Sequence, residues 1–562
     1  MWVATARSQI EVEWIGVVPV GFTLSAGLQG AVTDSAGVTY ITGNGGVSSN
    51  TDTVTAAFGS DGTELWSHVF NGTEDWHDQA RGITLGPGGF VWVCGNTPDS
   101  FNYANVLLLK YEAASGALLD TLQYSSGLFK SEHAASVTTD TQGNVTLGGG
   151  TVGDGADGLM LGFDPNGNLS WDGLYDGAAF GPFSQDHILQ VLTDGKGDVL
   201  ALVHGVAGSN QPDYVVIKYS GTTGARLWTS SWGSNGGDYP AAMALDAAGD
   251  VYVTGSAIEV IDKFGTIKLD GNDGQLIWQA LDSFGLDDNA VALAVDNVGG
   301  VYITGQSDPD GDLSNFNDRI LTVKRDAATG AKIWQHVYGA SCVGCFDGAG
   351  DVAVDSTGNV LVVGSTSSPP YSADLILLVL DGATGEEINR GIVGSAPGES
   401  AGGSMLMFDA AENIYVAGSY SNGTTGQAAM AVFKFASLTS WVGLGSGLAG
   451  SGGQTPALTG TGGLTPGSVN QLRLSGALPS ASSHLVVGLS RVDASFKGGV
   501  LVPAPDVIVS GLIVDGGGNF ELPFVWPPGI PAGTPFYLQY WIPDASGPTG
   551  FAASNGLAAQ AN

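Results

Sequence analysis

Short runs of alternating apolar and polar residues, each closed by a turn rich in Gly and Asp, fill the chain to about residue 436. Val251-Tyr-Val-Thr254 shows the type: period two, β-branched and aromatic, bounded by turn residues, which is the pattern of strands and not of helices. The alternation is itself repeated. Asp, two residues, Gly, then a strand ending in Gly appears at Asp34, with later copies from Gly86, Asp140, Asp194, Asp246, Asp296, Asp355 and Asp409 at intervals of 50 to 59 residues. A fixed period in this range signals a repeat architecture. In the unit around Asp246 the strands fall at 239–245, 251–254 and 265–269, and a fourth opens at 275–279. Asp246-Ala-Ala-Gly249 and Asp270-Gly-Asn-Asp-Gly274 make the turns between them, where Gly supplies positive φ and Asp caps its own backbone. Four strands in each of eight units predict an all-β, eight-bladed β-propeller, or seven blades if the unit at Gly86 or Asp194 is too degenerate to form one. The last unit offers only three strands, ending at Phe435, whereas Ile10–Gly16 is a spare strand resembling Leu227–Gly233. The N-terminal strand is expected to complete the last blade and so remove two open sheet edges.

A second pattern joins the third and fourth strands of each unit. It reads Ile217-Lys-Tyr-Ser-Gly-Thr-Thr-Gly-Ala-Arg-Leu-Trp228, and it returns ending at Trp278 and Trp334, with weaker copies at Trp66 and Trp171. Over about residues 12–436 the chain here resembles bacterial β-propeller repeat proteins of the SBBP type. It is similar also to the tryptophan-docking repeat of pyrroloquinoline-quinone propellers. The resemblance implies that each Trp packs between neighbouring blades, a place suited to a large, flat side chain.

Beyond Trp441 the composition changes. Residues 442–464, opening Val-Gly-Leu-Gly-Ser-Gly-Leu-Ala-Gly-Ser-Gly-Gly453, are expected to be a flexible Gly/Ser-rich linker between a propeller over 10–441 and a small β-sandwich over 465–562. Strands without the propeller motif return there, and Pro527, Pro528 and Pro531 punctuate them. The sandwich resembles a C-terminal module of exported bacterial proteins, which implies a part in display, docking or sorting.

Charge narrows the partners. The chain holds 54 acidic against 18 basic residues, a formal net charge of −36. Such a surface repels nucleic acid and anionic membranes. No apolar run is long enough to span a bilayer, and no apolar leader precedes the first strand, although Ala4-Thr5-Ala6 has the small-x-small form of a cleavage site. Few lysines and many Asp, Gly, Ser and Thr suit a secreted or cell-surface bacterial protein. The three cysteines, Cys94, Cys342 and Cys345, form no disulfide framework. Cys342-x-x-Cys345 is half of a zinc site without its other half, and reads as a local disulfide or two thiols.

Candidate chemistry concentrates at one register, eight residues before the turn Asp. Asp78, Glu132, Asp186, Asp238, Asp288 and Asp347 occupy it in six of the eight units. Because they open the innermost strand, they are expected to form an acidic ring near one mouth of the channel. They either accept backbone N–H bonds at the blade-to-blade turns or bind a cation. His77, His133 and His187 each adjoin one of these acids; His133 and His187 share a register and His77 is shifted by two, so not all three point alike. Asp308, Asp310 and Asp312, with Asp318 beyond, resemble a calcium-binding loop with oxygen ligands at alternate positions. The EF-hand pattern itself fails, since its sixth position is Leu313 and its twelfth Arg319.

No zinc-protease helix motif and no phosphate loop occurs. The quinone enzymes that share the tryptophan repeat carry adjacent cysteines, from which Cys342-x-x-Cys345 departs by two residues. These readings favour a non-enzymatic binding, adhesion or scaffolding module whose partner is a protein or a glycan, with no catalytic residue assigned and calcium as the one candidate cofactor. The alternative is an enzyme acting at the channel mouth, either quinone-dependent or polysaccharide-active.

Overall fold

The structure, a computed structural model, describes residue 10 and residues 12–561 apart from 19–26, 48–49, 75, 128–129, 153–156, 177–185, 207–211, 235, 260, 286, 309–317, 340–345, 369–371, 395–398, 422–428, 436–440, 463, 465–466 and 532–533. It forms two compact units, the first Val12–Phe435 and the second built chiefly from Ala436–Asn562.

The first unit is a β-propeller. Its described residues make eight four-stranded antiparallel sheets, numbered here in chain order. Their inner strands are Gly27–Thr33, Gln79–Gly86, Ser131–Thr139, His187–Thr193, Asp238–Leu245, Asp288–Val295, Asp347–Val354 and Ser400–Phe408. Each inner strand packs beside the next, and the eighth beside the first, so the ring is closed. The turn Asp residues work as their spacing predicts: Asp246, for example, accepts from the N–H groups of Ala248 and Asp250 at 2.9 and 3.0 Å. Alternation places the tight turns, two in each of the first seven sheets and one in the eighth, at one end of the ring. The loops between second and third strands, and those leading from one sheet to the next, leave from the other.

One feature escapes period-two reading. All eight inner strands carry a β-bulge at the same register, from Leu28/Gly30 in the first sheet to Gly403/Met405 in the eighth. A bulge interrupts the ladder locally, and three sheets use a side chain beside it as a stitch. Ser136 Oγ accepts from Val191 N at 3.1 Å, Gln190 Oε1 from Met243 N at 2.8 Å, and Asp351 Oδ2 from Leu406 N at 2.9 Å, each donor lying on the following sheet.

Tryptophan docking joins the sheets farther out. The indole N–H of Trp66, Trp171, Trp278 and Trp334 donates to Ala113, Gly221, Ala327 and Gly382 carbonyls in the following sheet, at 2.8 to 3.0 Å. Each ring lies on a glycine of that sheet's outer turn. At Gly330, φ is +73°, and a Cβ would sit 2.7 Å from the Trp278 ring. Only glycine meets both demands.

Closure uses the same device. Val12–Val17 pairs antiparallel with Ala429–Phe435 as the fourth strand of the eighth sheet. From it Trp14 reaches the first sheet, donating to Ser60 O at 3.0 Å and covering Gly62.

The second unit is a sandwich of a six-stranded and a three-stranded sheet, with a two-stranded ribbon. Leu485, Tyr540 and Ile542 of the larger sheet meet Leu458, Leu472 and Leu474 of the smaller in one core. The expected linker is corrected here. Residues 442–464 contain strands within Trp441–Gly445 and at Ala457–Thr461, separated by a 3-10 turn at Ser451–Gly453. Trp441 anchors the segment: its indole donates to Gly462 O at 3.1 Å, covers Gly460 and is buried in the core. A Gly-rich stretch reads as flexible from composition, but here its glycines admit a tryptophan face.

Candidate functional site

The six acids at the shared register stand at the loop-bearing end of the inner strands, and every one is fully buried. The cause is local. The chain leaving one sheet folds back so that its N–H groups meet the carboxylate that opens the next. Gly72 N donates to Asp78 at 2.6 Å, Ser126 N to Glu132 at 3.0 Å, Ser234 N to Asp238 at 2.5 Å, and Phe284 N and Gly285 N to Asp288 at 2.6 and 3.1 Å. Hydroxyls of Ser126, Ser307 and Thr366 add bonds to Glu132, Asp288 and Asp347. Asp186 is likewise fully buried. Charged hydrogen bonds of this kind contribute about 1.5–3 kcal/mol each. Asp78, Glu132, Asp238 and Asp288 therefore clamp loops, and all six acids are buried within their sheets' ends. Among the described residues no group of three His, Cys, Asp or Glu side chains is placed to hold a metal.

What lies beside them is different in chemistry. The residue after each buried acid, with its partner on the second strand, is uncharged: Gln79 with Asn96, Tyr239 with Ser256, Asn289 with Gln306. These pairs link around the mouth, as where Ser256 Oγ donates to Asn289 Oδ1 at 2.6 Å and Asn44 Oδ1 accepts from Ala80 N at 2.8 Å. In the third sheet the second-strand position is Gly150, where a Cβ would lie 2.6 Å from His187 Nδ1. That space admits the His187 ring, whose centroid is 5.4 Å from that of His133. His204, directly across the ladder from His187, stacks on Tyr239 at 5.2 Å. An arc of four rings thus runs over three sheets. Burial pushes His133 down to about 4, helped by the neighbouring His187 and Arg81, and depresses His187 and His204 as well. His187 Nδ1 and His204 Nε2 make no hydrogen bond among the described residues.

The sequence pairing of histidines with acids thus resolves unevenly. His133 and His187 meet, whereas His77 stands apart, bonded to Thr51 at 2.9 Å. His204 was not legible as a member, because it enters from the second strand through ladder register; Gly150 was the available signal.

Of the proposed calcium loop, Asp308 is buried and Asp318 has its carboxyl raised by burial and by Asp287, Asp308 and Asp347. Asp310 and Asp312 lie outside the described residues, as do Cys342 and Cys345; Cys94 is a buried free thiol. At the opposite, turn-bearing end, a cleft of about 310 Å³ opens between the fourth and fifth sheets. Its buried cation, Lys218, is already held by Asp194 at 2.7 Å and by Gly271 O at 3.0 Å.

Exposed aromatic side chains separate the two ends. Among the described residues of the propeller, the exposed aromatic side chains are Trp76, Phe101, Tyr239 and Phe346, and all four lie at the loop-bearing end.

No family model matches the chain, and no curated protein matches it. Solved structures of similar fold include the quinohaemoprotein alcohol dehydrogenase of Comamonas testosteroni, at 12% identity over 76% of each chain and a TM-score of 0.46. A europium-containing methanol dehydrogenase is 11% identical over 76% of this chain and 93% of its own, with a TM-score of 0.47. Sqt1 from Chaetomium thermophilum is also 11% identical, over 76% of this chain and 99% of its own, at 0.47. Likenesses at this level bear on no reaction, and the propeller stands on the sheet topology itself.

Proposed function

We propose that this chain is an exported bacterial binding module that engages its partner with the loop-bearing end of the propeller, while the sandwich unit serves display or attachment. The observation that carries this reading is that the exposed aromatic side chains among the propeller's described residues lie at that one end. Exposed rings on a rigid frame are what recognition surfaces use, because they bury much area at little entropic cost. The test is retention of the full chain on bacterial cell-envelope fragments. The triple variant Trp76→Ala/Tyr239→Ala/Phe346→Ala is expected to lose retention while keeping its melting temperature within a few degrees. Equal retention of the variant would refute the reading.

A second reading makes the mouth catalytic, quinone-dependent or polysaccharide-active. It is favoured by the three imidazoles held neutral, since a neutral imidazole is a general base. The residues in place do not fit pyrroloquinoline quinone. That cofactor carries carboxylates and calls for cationic partners, yet Arg81 is the single cation on the eight inner strands. Calcium between Asp308 and Asp318 belongs to the proposal too. Melting of the full chain in EDTA, in calcium, and in calcium with the quinone separates these cases, with a rise expected in calcium alone. A further rise with quinone, joined by alcohol-dependent reduction of an artificial electron acceptor, would replace the binding module by a dehydrogenase.

A further inference from the structure

We infer that the partner of the loop-bearing end is a neutral saccharide chain, taken at the mouth by the Tyr239–His204 stack and the uncharged amide and hydroxyl pairs beside it. This rests on the binding reading above and adds the ligand's chemistry.

Three observations converge. The first is the charge of the mouth. Around Tyr239 the side chains at this register are His187, His204, Ser256, Asn289 and Gln306, which are imidazole, hydroxyl and amide, and the acids that precede them, Asp186, Asp238 and Asp288, are fully buried. Such a lining offers donors and acceptors without formal charge, so it matches neither a cation nor an acidic polymer.

The second is the aromatic platform. Tyr239 is nearly half exposed while its ring stacks on His204 with 27° between planes, which holds it in one orientation. A rigid, partly open ring flanked by hydrogen-bonding groups suits a sugar. The sugar's C–H face packs on the ring and its hydroxyls exchange bonds with the flanking pairs.

The third is pre-organisation. Ser256 Oγ already binds Asn289 Oδ1 at 2.6 Å, which leaves the Asn289 amide hydrogens to donate. The group is set before any ligand arrives, and this lowers the entropic cost of binding.

The experiment uses the full chain and an array of neutral oligosaccharides, β-1,4-glucan hexamer among them, with polygalacturonate as the anionic control. At least one neutral oligomer is expected to bind. Tyr239→Ala should weaken it tenfold or more, Tyr239→Phe less than threefold, and Asn289→Ala severalfold, with unchanged melting temperatures. Absence of binding to every neutral oligomer, preference for polygalacturonate, or indifference to Tyr239→Ala would each overturn the inference. Envelope fragments separate it from the reading beneath it. Retention abolished by periodate, which cleaves vicinal diols, supports the saccharide. Retention that survives periodate but is lost on protease treatment, and that still requires the loop-end aromatics, overturns the saccharide and leaves the binding module standing.

Discussion

At the scale of single residues, the molecule depends on glycines that serve unlike ends. Gly330 combines φ of +73° with an indole face that a Cβ would meet at 2.7 Å, whereas Gly249 has φ of +87° with nothing within 4 Å. The backbone term is common to both; the steric term belongs to one. Gly249→Ala is therefore expected to cost about 1 kcal/mol and Gly330→Ala about 2–3 kcal/mol. Paired denaturant titrations check this, and equal costs would mean that the indole yields freely. The histidine arc gives a pH dependence. His133 titrates near 4 in the fold against 6.5 unperturbed, so the unfolded chain binds more protons between those values. Stability is complete above pH 6.5 and falls as pH drops toward 4. Its charged neighbours are His187 and Arg81, and His187 in turn faces His204 and Asp186; both of these histidines shift in the same direction. His133→Gln should remove about 2 kcal/mol of the loss between pH 7 and 4.5, allowing for partial exposure. Parallel pH profiles for the two proteins would contradict the assignment.

At the scale of elements, the bulged inner strand organises the sheet boundaries, and Asp351 tests its stitches. Its carboxyl is pushed up to about 6 by burial, only partly offset by the N–H groups of Leu406 and Val352. The fold therefore holds a proton more readily than the unfolded chain, and Asp351 destabilises as pH rises from 3.8 through 6. Asn at this position keeps an acceptor for Leu406 N without the charge. Asp351→Asn is expected to raise stability at pH 7.5 by roughly 1–2 kcal/mol, since the residue is partly exposed, and to add nothing below pH 4. A variant destabilised at both pH values would show that the stitch needs the carboxylate. The same elements explain what could be read beforehand. The acids and tryptophans recur at a fixed period, so their shared register was visible, and the Trp-to-glycine docking agrees with it. The bulges were not visible, because an extra residue within an alternating strand leaves no mark in composition. Nor was Trp441 as an anchor, because its glycine partners, Gly460 and Gly462, sit in a stretch whose composition alone suggests a linker.

At the scale of the whole molecule, the ring is held by one strand brought from the far end of the chain. Without Val12–Val17, the strand Ala429–Phe435 would present an open edge whose Val432 and Phe433 are fully buried in the closed form. Three contacts would go together. Trp14 leaves Gly62 and Ser60, Gly16 leaves the Phe58 ring it lies against, and Glu13 leaves Lys434, its ion-pair partner at 2.8 Å. The first two bridge the eighth sheet to the first, and the chain link from Val12–Val17 to Gly27–Thr33 goes with them, so the shortened ring has no covalent tie at that boundary. Exposed, unpaired apolar edges are templates for other chains. A chain beginning at residue 18 is therefore expected to melt well below the full protein and to self-associate on size-exclusion chromatography. Trp14→Ala alone, which keeps the strand, should cost about 2 kcal/mol without self-association. A synthetic peptide of residues 10–18 should restore both melting and elution, because the missing fourth strand needs only its ladder and its tryptophan to reseat. Unchanged melting of the shortened chain would show that the seven other sheet boundaries hold the ring without its closing strand.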